Sequence, residues 1–118
     1  MIDVISAYYR ANQRVLEETP HITVGLLNVL LGVERWGYVK GDRHDPMALE
    51  ELAANLGVAP TTVSQGMRDL GMVKRGGLPG LDLVNTWENA DNHRKKVFGL
   101  TTKGSNLMAD LRTIFGRS

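Results

Sequence analysis

The stretch ALEELAANLGVAPTTVSQGMRDLG, Ala48 to Gly71, places two short amphipathic segments on either side of a glycine. In the first, Leu49, Leu52, Ala53 and Leu56 recur at helical spacing and form one apolar stripe. Asp45-Pro46 is expected to start that helix, with Asp45 as its cap and Glu50 and Glu51 near the positive end of the dipole. Gly57 supplies the positive φ that a sharp turn between helices needs, and Val58 is expected to plug the core there. Pro60 opens the second helix, which runs to Leu70. Its Val63, Met67 and Leu70 recur at i, i+4, i+7 and must face inward, leaving Thr61, Thr62, Ser64, Gln65 and Arg68 outward before Gly71 stops it. The pattern is a helix-turn-helix.

Downstream the period changes. Met72 to Arg75 reads as a short strand, Gly76 to Gly80 as a turn or irregular excursion, and Leu81 to Trp87 as a second strand. Glu88 to Asn92 has turn chemistry, and His93 to Leu100 returns as a third strand. Thr101 caps a last helix carrying Leu107, Met108, Leu111, Ile114 and Phe115. Upstream, residues 2–17 form an amphipathic helix with Ile5, Tyr8, Tyr9, Val15 and Leu16. Thr19-Pro20 then starts a second helix, about His21 to Trp36, with Ile22, Leu26, Val29, Leu30 and Val33 on its buried side and Leu27 and Leu31 widening the stripe. The expected fold is mainly α with a small β wing (α+β), a winged helix-turn-helix. It forms one domain over residues 1–118: N-terminal helices 1–36, helix-turn-helix 45–71, wing 72–100 and C-terminal helix 101–116.

Composition is that of an ordinary soluble chain, at 42% apolar and 23% charged over 118 residues. The longest apolar run, Val24 to Val33, is interrupted by Asn28 and Gly32 and falls short of the ~20 residues of a membrane span. The N-terminus has no basic region ahead of an apolar one, so export is not indicated and a cytoplasmic location is expected. Zero cysteines remove disulfides, thiol catalysis and Cys-based zinc sites together. His21, His44 and His93 lack ligand spacing, no phosphate loop or nucleophile elbow is present, and Asp42, His44 and Asp45 sit in a connector. The expectation is no enzyme, no metal and no cofactor.

A net charge of +1 conceals an asymmetry. Residues 1–56 carry five basic and eight acidic side chains, whereas residues 57–118 carry nine and five. The excess falls on the second helix of the motif, the wing and the tail, as a phosphate-binding footprint would, although scattered surface charge gives the same difference. In a helix-turn-helix the second helix enters the major groove, where each base pair shows a distinct donor and acceptor pattern. Thr61, Thr62 and Ser64 offer short hydroxyls, Gln65 can pair bidentately with adenine, and Arg68 can pair with guanine or clamp a phosphate. In the wing, Lys74, Arg75, Arg94, Lys95 and Lys96 supply cations, with Arg94 and Lys96 on one strand face and Lys95 on the other. The plain alternatives are a solvated helix face and a strand edge protected by its charges.

With these residues set out, the chain from about Pro20 to Phe115 resembles a MarR-type winged-helix transcription regulator. The resemblance rests on the helix-turn-helix, the wing arginine Arg94, and Leu100-Thr101-x-x-Gly104 after the wing. It implies a homodimer on a pseudo-palindromic operator, usually as a repressor, with intertwined terminal helices and, in many members, release of DNA by a small aromatic ligand or an oxidant. No residue of this chain is assigned to such sensing. The chain departs from the pattern in a shorter second helix, an insertion at 76–84, Asn92 in place of the usual Asp, and a short final helix.

The first and last helices each carry an apolar stripe that a core of this size has limited room to bury. Ile5, Tyr8, Leu107, Leu111, Ile114 and Phe115 are therefore the expected two-fold interface, unless those helices pack on their own subunit. The competing reading of the whole chain is a winged domain that binds a protein, such as a repressor or polymerase component, through Trp36, Trp87 and the glycine-rich insertion. Duplex RNA is disfavoured, because its major groove is too deep and narrow for a helix.

Overall fold

The computed structural model describes residues 3–39, 46–71, 79–91 and 94–116. Its elements in order are α1 (Val4–Glu18), α2 (Val24–Trp36), α3 (Leu49–Leu56), α4 (Pro60–Leu70), β1 (Val84–Glu88), β2 (Lys96–Leu100) and α5 (Thr102–Gly116). Among the described residues no helix is long and apolar enough to cross a membrane.

The two helices of the motif form as their stripes require. Leu52 and Ala53 of α3 and Val63, Met67 and Leu70 of α4 are buried against Val29, Leu30 and Val33 of α2. Gly57 has φ 72° and ψ 31°, the left-handed conformation that side chains avoid. Around it, Gly57 N donates to Ala54 O (3.2 Å) and Val58 N to Ala53 O (3.1 Å), the paired bonds of a Schellman ending. Val58 contributes this backbone bond to the turn. Its side chain is 39% exposed, so it does not plug the core.

Two helix starts differ from the sequence reading. Thr19 is buried and its hydroxyl donates back to Val15 O, finishing α1. Thr23 caps α2 instead, its Oγ1 accepting from Leu26 N at 3.0 Å, so that helix begins at Val24. Helix α3 starts at Leu49, because Ala48 is extended and bridged to Val97 of β2. Glu51 still reaches back, accepting from Ala48 N at 3.4 Å. Asp45, the expected cap, lies outside the described residues.

Strands β1 and β2 pair antiparallel, from Val84 opposite Leu100 to Glu88 opposite Lys96. On the far side of β2, Tyr38 N donates to Phe98 O at 2.8 Å. The expected strand Met72–Arg75 lies outside the described residues. The expected strand Leu81–Trp87 is shortened from its start, because residues 81–83 make other bonds. Leu81 N donates to Asp69 O (3.1 Å), Asp82 N to Gly71 O (2.9 Å) and Leu83 N to Leu70 O (2.7 Å). These bonds occupy carbonyls at the C-terminal end of α4 that the helix itself leaves unpaired. The last strand begins at Lys96, so Arg94 and Lys95 precede the ladder and the alternation of faces does not extend to them.

The core gathers Leu30, Val33, Leu52, Val63, Leu70, Leu83, Phe98 and Leu107, all close to fully buried. Leu107 thus belongs to the interior of its own chain. It is removed from the expected dimer surface, because the first half of α5 packs on the wing root and α2–α4 core. Helix α1 joins α5 through a narrow stripe of Ala7, Ala11 and Val15, reinforced by Arg14 Nε to Asp110 Oδ2 at 2.8 Å.

Candidate nucleic-acid interface

The inward stripe of α4 fixes which side chains its other face presents. Thr61, Thr62, Gln65 and Arg68 are exposed and Ser64 is half-buried. At ~100° per residue, Thr61, Gln65 and Arg68 form the central row, with Ser64 on one flank and Thr62 and Asp69 on the other. From Thr61 to Arg68 the helix rises ~10 Å, about three base-pair steps of duplex DNA. Thr61, Ser64, Gln65, Arg68 and Asp69 line a shallow concavity of about 270 Å³ on this face. The hydroxyls, the amide and the guanidinium of the sequence reading are therefore brought together on one surface.

The second cluster is the wing. Arg94, Lys95 and Lys96 are all exposed, at the point where the chain re-enters the ladder. Asn89 N donates to Lys95 O (2.9 Å) and Asp91 N to Asn89 Oδ1 (2.8 Å), so an Asx turn shapes the approach to the tip. Lys74 and Arg75 lie outside the described residues, as do Asn92, His93, Asp42 and His44.

The charge excess of the second half is smaller at this surface than the sequence suggested. Arg112 is paired with Glu34. Lys103 donates to Leu81 O at 3.1 Å and stands 3.7 Å from Glu18 Oε2. Neither cation points to the α4–wing surface as a free charge, because both are engaged by the helical platform. Arg14 is the hub of that platform. Its hydrogen bond to Asp110 raises its pKa, against desolvation, and Glu18 adds to the effect.

What holds α4 and the wing in register is a motif whose mechanism is not visible in sequence. Thr101 Oγ1 accepts from Gly104 N (3.0 Å), capping α5, and donates its own proton to Asp82 O (2.7 Å). Thr101 N donates to Leu83 O at 3.1 Å. A Cβ on Gly104 would stand 2.1 Å from that same Leu83 oxygen, so only glycine allows the approach. Residues 81–83 are therefore a spacer, with N–H groups on α4 and carbonyls on the start of α5. Thr101, Lys103 and Gly104 are positioning residues; the signal for them is Leu-Thr-x-x-Gly itself.

The surface left by α1 and the end of α5 is apolar. Ile5 is 79% exposed, Tyr8 57% and Phe115 36%, with Tyr9 and Leu16 beside them on α1. Leu111 and Ile114 are half-buried, and Leu111 packs against the core.

Solved structures share this architecture. The DNA complex of MepR from S. aureus superposes with a TM-score of 0.69 at 23% identity, over 96% of this chain and 80% of that one. RV1404 from Mycobacterium tuberculosis gives 0.65 at 17% identity, over 96% and 64%. A MarR family transcription regulator gives 0.59 at 18% identity, over 93% and 61%. No protein-family model matches the chain, and no curated protein sequence matches it. The fold is that of the MarR-type winged helix, with five helices and a two-stranded antiparallel wing among the described residues.

Proposed function

We propose that the chain is a sequence-specific, double-stranded DNA-binding transcription regulator. It reads the major groove with α4 and contacts the backbone or minor groove with the wing. The observation that carries this is the row Thr61–Gln65–Arg68, exposed on a helix whose opposite face is locked into the core. The exposed Arg94–Lys96 segment and the shared fold with MepR, solved as a DNA complex, support it. Arg68 pairs with guanine or phosphate, Gln65 with adenine, and the threonine and serine hydroxyls fix the helix on the duplex.

The active species is a homodimer. Ile5, Tyr8 and Phe115 give an exposed apolar surface larger than scattered single residues, and a two-fold axis would place two copies of α4 in successive major grooves, ~34–36 Å apart. Bound across a promoter, such a dimer represses by excluding polymerase.

The test is fluorescence anisotropy against a random-sequence duplex titrated across salt. Arg68, Arg94, Lys95 and Lys96 predict a log–log slope of about −3 to −4 per subunit, at ~0.9 per phosphate neutralised. Operator selection from a random pool would follow, with Gln65→Ala or Arg68→Ala expected to relax one operator position by roughly 1–3 kcal/mol. Absence of binding at low salt would refute the reading and transfer the surface to a protein partner.

A further inference from the structure

Asp69 is the only acidic residue of α4, and its position is unfavourable twice over. It is the penultimate residue of the helix, where the negative end of the dipole disfavours a carboxylate. It is also half-buried on the concave α4 surface with Gln65 and Arg68, the face read above as meeting a polyanion. Its main-chain carbonyl accepts from Leu81 N at 3.1 Å, which fixes the helix end without using the side chain. Among the described residues no hydrogen bond or ion pair takes up the carboxylate itself. A carboxylate set against both a dipole and a phosphate surface is accounted for by a donor in the ligand.

We propose that Arg68 and Asp69 together read a single G·C pair, with Asp69 accepting from the N4 amino group of its cytosine. An ionised carboxylate only accepts hydrogen bonds, and the only donors in the major groove are the amino groups of cytosine and adenine. The neighbour decides between them. Arg68 and Asp69 are successive residues, so they differ by ~1.5 Å along the helix axis and ~100° around it. Both therefore fall within one base-pair step of ~3.4 Å, Arg68 in the central row and Asp69 on its flank. In a G·C pair, guanine O6 and N7 accept from a guanidinium while the cytosine amino group lies beside O6. Reversing the pair sets the carboxylate against O6, and an A·T pair sets it against thymine O4. Wrong pairs are thus rejected by repulsion as well as by lost bonds. The same charge weakens attachment to unrelated duplex, so Asp69 gives up affinity for specificity. This assignment rests on the DNA-binding reading of α4.

The test is selection from a random duplex pool with wild type, Arg68→Ala and Asp69→Asn, followed by anisotropy on the selected sequences. Both variants are expected to relax the same operator position. At that position Asp69→Asn should lower the preference for G·C over its reverse by roughly 5–150-fold. Placing N4-methylcytosine there removes the groove-facing amino hydrogen while keeping guanine O6 and N7. It should weaken wild-type binding and leave Asp69→Asn unaffected. On random-sequence duplex at low salt, Asp69→Asn should bind roughly 2–5-fold more tightly than wild type, the repulsion between one carboxylate and a nearby phosphate in water. It should also melt at or above the wild-type temperature, because the helix end loses an unfavourable charge. A lower melting temperature would make Asp69 a structural residue and overturn the assignment. So would relaxation of two different positions, a uniform gain of affinity with base preference intact, or indifference of wild type to the methylated base. A wild-type protein that binds no duplex at low salt would instead refute the DNA reading itself.

Discussion

Replacing Gly104 by alanine tests the spacer directly. The new Cβ would lie 2.1 Å from Leu83 O, where real side chains keep 3.0 Å or more, so α5 and the wing root must part by about 1 Å. That displacement strains two backbone bonds, Thr101 N to Leu83 O (3.1 Å) and Leu83 N to Leu70 O (2.7 Å). Each contributes about 1 kcal/mol. Overpacking against backbone adds roughly 1–3 kcal/mol, because no flexible side-chain end can move aside. Alanine returns about 1 kcal/mol through its helix propensity. The net is a loss of about 2–4 kcal/mol, or roughly 8–16 °C in Tm for a domain of this size. That leaves the protein folded at room temperature. Thermal and urea unfolding followed by circular dichroism would read it, beside Gly66→Ala as a control. At Gly66 an added Cβ meets its nearest neighbour at 3.4 Å, an ordinary contact, and the control should be neutral or up to ~1 kcal/mol more stable. The double variant Gly104→Ala/Thr101→Val should be less damaging than the sum, since both changes strike one junction. A Gly104→Ala protein melting within ~2 °C of wild type would refute the account of the spacer.

Other perturbations separate neighbouring features. Gly57→Ala meets no steric neighbour but must adopt φ 72°, so it should cost roughly 1–2 kcal/mol in urea unfolding, with Gly57→Asn milder. A double-mutant cycle on Arg14 and Asp110 should give at most ~1 kcal/mol of coupling, reduced by salt, because Asp110 is half exposed. Ile5→Asp with Phe115→Asp should shift the protein from dimer to monomer in analytical ultracentrifugation without unfolding it, since both side chains are exposed in the single chain. An unchanged sedimentation coefficient would remove α1 and the end of α5 from the interface.

The helix-turn-helix was legible because its determinants are local. Three inward residues of α4, a proline at its start and a glycine in the turn lie within one short window, and each acts on its own neighbours. What escaped the sequence reading was decided at a distance. Thr19 and Thr23 are equally able to cap a helix, and burial of Thr19 against α1 makes Thr23 the cap. Helix α3 is held back by a bridge from Ala48 to Val97, almost fifty positions along the chain. Leu81 to Leu83 carry strand-like alternation, yet their amides answer the carbonyls of α4. Leu107 and Phe115 lie along a single apolar stripe, and only the packed chain distinguishes the part its own core covers from the part left open. The cations divide similarly. Lys103 and Lys95 look alike in sequence, and Glu18 and Leu81 O claim Lys103 for the platform.

The bond from Asp82 N to Gly71 O has a bearing on how such a chain can change over generations. The polypeptide leaves the end of α4 at Gly71 and is stitched back to that same point at Leu81–Leu83, so main-chain bonds bracket whatever lies between. Main-chain bonds are indifferent to side-chain identity, and doubling the length of a closed loop costs only ~0.6 kcal/mol. Insertions and deletions between Gly71 and Pro79 can therefore accumulate without disturbing the orientation of α4, whereas Gly80 must stay glycine because a Cβ there would meet Gly71 O at 2.0 Å. The same property makes that interval the place to graft an epitope or a fluorophore while leaving α4 where it stands.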